Sequence, residues 1–161
     1  MLPTPDPMGR AVVYIDPSRY GATERKQFTR LELCRAVWYV VHAALETVAC
    51  QRHGQVMLVN AQHCTISNFD RRLCQTVFGS LSGSIPARSA GFHICRAPTF
   101  LPLVFPALKT FFPDPLKSRF HVHKHEGKLA KYGLVAVPTT LGGTVELNVE
   151  AWTQKRMECG A

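Results

Sequence analysis

An unusually apolar stretch at residues 100–112 constrains this chain more than any other feature. It contains four phenylalanines, three leucines and a single charged residue, Lys109. Pro102 is tolerated in the first turn of a helix, whereas Pro106 would bend a helix at its position. A helix that is apolar on every side is normally enclosed by other apolar groups. Two interpretations stay open from this pattern: a helix in the middle of the core, or a lid over an apolar cavity.

The composition is that of a folded domain with excess positive charge. Of the 161 residues, 46% are hydrophobic and 19% are charged, and the formal net charge is +8. A single domain of this length can bury a sizeable core. The charge favours anionic partners, and we expect a peripheral contact with an anionic membrane surface. Basic residues are scattered and are not interleaved with aromatic residues, so we expect no nucleic-acid partner.

The cysteines and the first residues bear on location. The six cysteines form no C-x-x-C pair, and several fall in apolar runs, which indicates reduced thiols. Residues 1–8 lack the apolar core of a signal peptide, and no run approaches the roughly 18 apolar residues of a transmembrane helix. We therefore expect a soluble, cytoplasmic protein that associates with membranes only transiently.

Strand and helix patterns alternate along the chain. Apolar runs predict strands at residues 11–15, 55–59, 91–95 and 118–123. Apolar periodicity and helix-start signals predict helices at residues 29–49, 69–81, 100–112 and 128–132. Asn68 is expected to cap the second helix, and Ser82-Gly83 to end it. Such alternation is typical of an α/β fold with a mainly parallel sheet.

Three histidines alternate near the end of the fourth predicted strand. His121, His123 and His125 would point to one face of a strand and could meet a zinc or copper ion. Exposed strand faces often carry histidine, however, and His125 falls beyond the expected strand end, so we predict no metal site. The chain has no phosphate loop, dinucleotide-binding fingerprint or G-x-S-x-G motif. We predict neither an enzyme nor a cofactor, and a zinc-dependent enzyme remains an alternative.

Several motifs follow one another in a distinctive order. They are Ile85-Pro86-Ala87-Arg88, a strand ending at Ala97-Pro98, the apolar stretch, Ser118-Arg119-Phe120, and Val137-Pro138 followed by Leu141-Gly142-Gly143. Upstream of these motifs, residues 9–14 and 56–61 have the pattern of two further strands. From residue 9 to residue 145, this order resembles the CRAL-TRIO family of lipid-binding domains, which includes phosphatidylinositol-, retinal- and tocopherol-binding proteins.

The resemblance implies a fold and a site. The expected fold is α/β, with a mainly parallel mixed sheet of about four to five strands as the floor of an apolar pocket. Helices cover the faces of the sheet, and residues 100–112 form a movable gate helix over the pocket. The implied pocket lining is Phe92, Ile94, Phe100, Leu101, Val104, Phe105, Leu108 and Val122. Arg119 and His121 are the implied headgroup contacts, although the strand faces stay open, because an inward Arg119 would turn Val122 outward.

The chain also departs from the family pattern. In phosphatidylinositol-binding members, a glutamate and a lysine hold the inositol phosphate. Ala87 stands at the first of these positions, and Arg119 stands at the second and keeps the cation. No counterpart of the small N-terminal helical lobe is found. We expect a tail at residues 1–8, the lipid-binding lobe at residues 9–147 and a C-terminal tail at residues 148–161, with a partner protein in place of the missing lobe.

Two functions follow from the resemblance. The first is that the protein binds a phospholipid or similar lipid in an apolar pocket and exchanges or presents it at membranes. The alternative is a protein-interaction scaffold that binds a small GTPase or its regulator, with little lipid transfer. The missing glutamate, the missing lobe and the prolines in the gate helix favour this alternative, and a pocket filled by the protein's own side chains would support it.

Overall fold

One parallel sheet organises the chain. A computed structural model describes residues 1–21, 24–81, 88–110, 112 and 114–159. Its strands are β1 Val12–Ile15, β2 Gln55–Asn60, β3 Ser89–Cys95 and β4 Phe120–His123, and they lie in that order. All neighbouring strands are parallel. The α/β class and the parallel sheet are therefore confirmed, and β4 forms one edge of the sheet.

Helices connect the strands and follow the sheet. The α-helices are α1 Glu24–Gln27, α2 Arg30–Ala44, α3 Val48–His53, α4 Arg71–Leu81, α5 Leu101–Lys109, α6 Asp114–Lys117 and α7 Val149–Cys159. Short 3-10 helices occupy Pro17–Arg19, Ile66–Asn68, Glu126–Tyr132 and Thr139–Leu141. Within the described residues, no helix is long and apolar enough to cross a bilayer.

Local caps set the ends of two helices differently from the sequence prediction. The helix expected at residues 29–49 is divided, because Thr47 starts a new helix by accepting a hydrogen bond from the backbone N–H of Cys50. At α4, Asp70 rather than Asn68 accepts a hydrogen bond from the backbone N–H of Leu73. The expected helix end at Ser82-Gly83 and the motif at residues 85–87 lie outside the described residues.

The two faces of the sheet bury different groups. Successive side chains along a strand alternate between faces. One face, here called the helical face, packs Val13, Met57 and Phe92 against helix α2. The other, here called the C-terminal face, packs strand residues such as Leu58 against the segment that contains Leu129. The core is thus a helical layer, a sheet and a layer of irregular C-terminal chain.

Both expected tails pack against the fold. Leu2 is buried, and its backbone N–H donates to the carbonyl oxygen of Val12. At the other end, α7 lies where a frayed tail was expected. Arg156 pairs with Glu46 near the end of α2, and Trp152 meets the ring of Tyr39 edge-on. These contacts join residues more than a hundred positions apart, which is why local sequence patterns did not reveal them.

The Gly142-Gly143 pair allows a close backbone approach. A Cβ atom on Gly143 would lie 1.9 Å from the carbonyl oxygen of Val137. We expect G143A to lower the free energy of unfolding by about 2 kcal/mol or more, because backbone must move to relieve the clash. Urea unfolding measures this change. G127A is the matched control, since nothing lies within 4 Å of a Cβ atom at Gly127; equal stability of both variants would contradict the prediction.

Candidate functional site

Helix α5 is apolar yet lies at the surface. None of its residues is buried, and Leu103 is 75% exposed. Its charged residue, Lys109, stands in the last turn over the ring of Phe105. This placement excludes a helix enclosed in the middle of the core. The remaining interpretation is that α5 covers the layer beneath it with one side and leaves the other side open.

A cluster of phenylalanine rings lies beneath α5 on the helical face. Phe120 is at its centre, with ring centroids 4.8 Å from Phe92 and 4.4 Å from Phe112. Phe105 of α5 meets Phe120 edge-on at 5.7 Å. Phe78 of α4 completes the cluster, 4.2 Å from Phe112. The edge strand, α5 and α4 are therefore joined through stacked, tilted and edge-on rings, and aromatic pairs favour such offset geometries.

The structure places the three predicted lining residues of the strands on the helical face. Ile94 pairs with Val122 and shares the helical face with Phe92. Ile94 is buried, whereas Val122 is 48% exposed. Five predicted residues belong to the gate segment and are half-buried: Phe100, Leu101, Val104, Phe105 and Leu108.

The sequence analysis missed three rings of the cluster. Phe120 could have been found, because it alternates with Val122 along the same strand. Phe112 belongs to the apolar stretch itself, but lies beyond the end of α5. Phe78 carried no local signal, because it reaches the cluster from α4 through the tertiary fold alone.

The rings occupy the space where an apolar pocket was expected. The structure has one open cleft of about 500 Å³ lined by His42, Leu45, Glu46 and Gln51. Another, of about 630 Å³, lies at the edge strand. Neither is lined by a residue of α5. A ligand under α5 would therefore require this helix to move away from Phe120.

The predicted headgroup residues do not share the face of the predicted pocket. His121 pairs with His93 on the C-terminal face, whereas its neighbour Phe120 pairs with Phe92 on the helical face. Arg119 precedes β4, and its guanidinium donates to the backbone carbonyl oxygen of Ser89. A molecule that contacted both sets would have to pass around the edge of the sheet.

Imidazole rings stack on the C-terminal face of β3 and β4. His93 stacks on both His121 and His123, with centroid distances of 5.1 and 5.2 Å. Nδ1 of His93 is 3.0 Å from Nε2 of His123. Tyr132 covers the three rings from the 3-10 helix. Among the described residues, no group of three or more ligating side chains is placed to hold a metal ion.

Burial keeps the central histidine neutral. His93 is 4% exposed. Desolvation, followed by the positive charges of His123, His121 and Arg10, lowers the pKa of His93 to about 4. The pKa of His123 is also lowered, by burial first and then by His121 and Lys128. Neutral rings can share the hydrogen bond between His93 and His123, with one nitrogen donating and the other accepting.

Known proteins share this fold. The CRAL/TRIO domain matches residues 1–143 of this chain. Because this match covers most of the sequence, the chain belongs to the CRAL/TRIO domain family. The solved structure of Sfh5 superposes with a TM-score of 0.73 at 15% sequence identity, covering 97% of this chain and 63% of that chain. At this low identity, the likeness to Sfh5 shows the fold alone.

Two curated relatives show how the domain is used elsewhere. The alpha-tocopherol transfer protein-like protein of Homo sapiens is 25% identical over 158 residues, which cover 94% of this chain and 45% of that protein. Tyrosine-protein phosphatase non-receptor type 9 of Mus musculus is 22% identical over 147 residues, covering 91% of this chain and 24% of the phosphatase. The chain thus spans less than half of either relative. Together with the family match, these similarities support lipid binding at the level of the family.

The buried histidine predicts how stability depends on pH. A depressed pKa means that the unfolded chain binds a proton more readily than the folded chain does. We expect the free energy of unfolding to have its highest value above pH 6.5. It should fall by on the order of 2 kcal/mol as the pH drops toward 4. In urea titrations across this range, H93Q should show a shallower loss than the wild type. H63Q, at an exposed histidine, should retain the wild-type slope; equal slopes for H93Q and wild type would refute the assignment.

Proposed function

We propose that this chain binds a phospholipid or similar lipid beneath helix α5 and exchanges or presents it at membranes. The supporting observation is the position of α5, an apolar helix with no buried residue that covers a ring cluster. Apolar side chains of a surface helix are not stabilised by contact with water. In this proposal they contact an apolar ligand when the helix is closed and a bilayer when it is open. The proposed unit is a lipid-binding lobe at residues 9–147 without catalytic activity.

Opening of α5 is the proposed exchange step. The contact of Phe105 with Phe120 closes the site when no lipid is present. A lipid acyl chain gains about 0.8 kcal/mol for each methylene removed from water, but it has the same gain in the bilayer that it leaves. The protein therefore has only to match the bilayer, and the rate of exchange is set by opening of the gate. Pro102 and Pro106 give the hinge points in this proposal.

Charge supports the membrane side of the proposal. The net charge of +8 attracts the protein to an anionic leaflet. Arg119 and His121 are the proposed headgroup contacts, reached around the edge strand β4. Arginine can grip a phosphate with two parallel hydrogen bonds, so phosphatidylinositol is one candidate ligand. The protein is proposed to be cytoplasmic and only transiently bound to membranes.

One observation favours the alternative of a protein-interaction scaffold. The phenylalanine rings beneath α5 pack on one another, which is the side-chain filling expected of a domain that carries no lipid. In this alternative, a small GTPase, its regulator or another chain covers the apolar surface. Uptake of lipid from liposomes separates the two functions.

The substitution F105D tests the lipid site. An aspartate facing the ring cluster should reduce lipid uptake to background, because an ionised carboxylate is costly to bury beside acyl chains. Uptake from fluorescently labelled phospholipid liposomes is the measurement, and circular dichroism checks the fold. A107D places the same charge on an exposed position of the same helix and should keep most of the uptake. Wild-type uptake by F105D would rule out the gate assignment.

The substitution L103D tests membrane docking by the outer side of α5. Leu103 is 75% exposed, and V135D is a matched control because Val135 is also 75% exposed elsewhere on the surface. We expect L103D to weaken sedimentation with anionic vesicles about tenfold, since a buried leucine contributes roughly 1.5–3 kcal/mol. V135D should sediment like the wild type. Equal sedimentation of L103D and V135D would show that α5 does not dock.

A further inference from the structure

A second cleft opens at the edge strand. It has a volume of about 630 Å³. One wall is the whole of β4, and the other is the 3-10 helix Glu126–Tyr132. From this helix, Gly127, Lys128, Lys131 and Tyr132 line the cleft. The C-terminal face of the sheet forms its floor through His121 and His123.

Among the described side chains, those that line this cleft carry only positive charge. Lys128 and Lys131 line it, and no acidic side chain does so within the described part of the chain. Neither lysine forms an ion pair with a described acid. Burial first, and then the positive charges of His121 and Lys128, lower the pKa of His123. Such a cluster attracts an anion and repels a metal cation.

The donors in the cleft come from several directions. Nε2 of His123 faces Nδ1 of His93 at 3.0 Å, which leaves Nδ1 as the other ring nitrogen of His123. The hydroxyl of Tyr132 lies 3.4 Å from Nδ1 of His121. The contact with buried His93 and the stacking beneath Tyr132 hold these rings in place. The ammonium groups of Lys128 and Lys131 on the opposite wall add three N–H donors each.

This arrangement suits one class of anion. A phosphate monoester has three terminal oxygens and carries nearly two negative charges near neutral pH. It therefore needs several donors spread over a surface, and lysine binds phosphate well as a point charge. A planar carboxylate is better matched by the two parallel donors of an arginine, and no arginine lines this cleft.

We propose that the cleft between β4 and the 3-10 helix binds a phosphate monoester through Lys128, Lys131, Tyr132 and the histidines of β4. The ester belongs either to a soluble molecule or to a phosphorylated lipid headgroup. The site shares His121 with the headgroup contact proposed above, and in that respect it rests on the proposed function. It does not require lipid beneath α5.

The test uses the full chain and the double substitution K128A/K131A. Glycerol phosphate is the soluble probe, measured by calorimetry and by the NMR signals of the histidine rings. Phosphatidylcholine vesicles with and without phosphatidylinositol monophosphate are the lipid probe, measured by sedimentation. We expect the double variant to weaken binding of at least one probe about a hundredfold, at about tenfold for each charged contact. K26A/K155A is the control, because it removes equal charge at two exposed lysines that lie outside both the cleft and α5.

The histidines give a second readout. Bound phosphate should raise the pKa of His123, because a nearby anion stabilises the imidazolium form. The groups that face this ring are His93, His121, Lys128, Lys131 and Tyr132.

Each outcome decides the proposal. Loss of glycerol phosphate binding in K128A/K131A alone supports a soluble ester, and loss of vesicle binding alone supports a phosphorylated headgroup. Equal losses in K26A/K155A, or no binding of either probe by the wild type, would overturn it. Uptake of uncharged lipid by the same variants reports separately on the site beneath α5, so failure of one proposal is distinguishable from failure of the other.

Discussion

The stacking of Phe120 on Phe92 is the contact on which the rest of this site depends. It fixes the edge strand β4 against β3 on the helical face. Because side chains alternate along a strand, the same register turns His121 and His123 to the C-terminal face. One strand of four residues therefore presents an apolar surface to α5 and imidazole rings to the 3-10 helix. A register shift by one residue would exchange these surfaces and disrupt both.

An edge strand can join the two surfaces in a way that a central strand cannot. Beyond β4 no further strand covers the described sheet, so its side is open and Val122 remains half exposed. An amphipathic molecule could keep its apolar part beneath α5 and place its polar end around this edge. The fold thus brings an apolar contact and a charged contact close together without burying a charge in the core, which would be costly.

The strands and their alternation with helices could be predicted from the sequence. The strands are continuous apolar runs such as Val56-Met57-Leu58. Short runs of this kind are typical of strands that are buried on both faces of a parallel sheet. The division between α2 and α3 was missed, because Thr47 interrupts the helix by capping while the apolar spacing continues. Helix α7 was missed because its position depends on Arg156 and Trp152 meeting distant residues of α2 and its flank.

The site was less predictable than the fold. The apolar lining on β3 followed from the strand pattern and the family resemblance, but the choice of faces required the register of β4. A single histidine in an apolar strand, such as His93, gives no sequence signal for a site. Pairing with His121 on the neighbouring strand makes His93 part of the imidazole stack. Contacts between strands depend on the tertiary fold, so a pattern within one strand cannot reveal them.

Native mass spectrometry of the chain purified from cells, followed by extraction and identification of any bound lipid, tests the central claim most directly. If α5 is a gate over a lipid site, the protein should carry a lipid at close to one molecule per chain, and organic extraction should release it. A protein that is free of lipid, and that also takes none from mixed liposomes, would contradict the claim and favour the interaction scaffold.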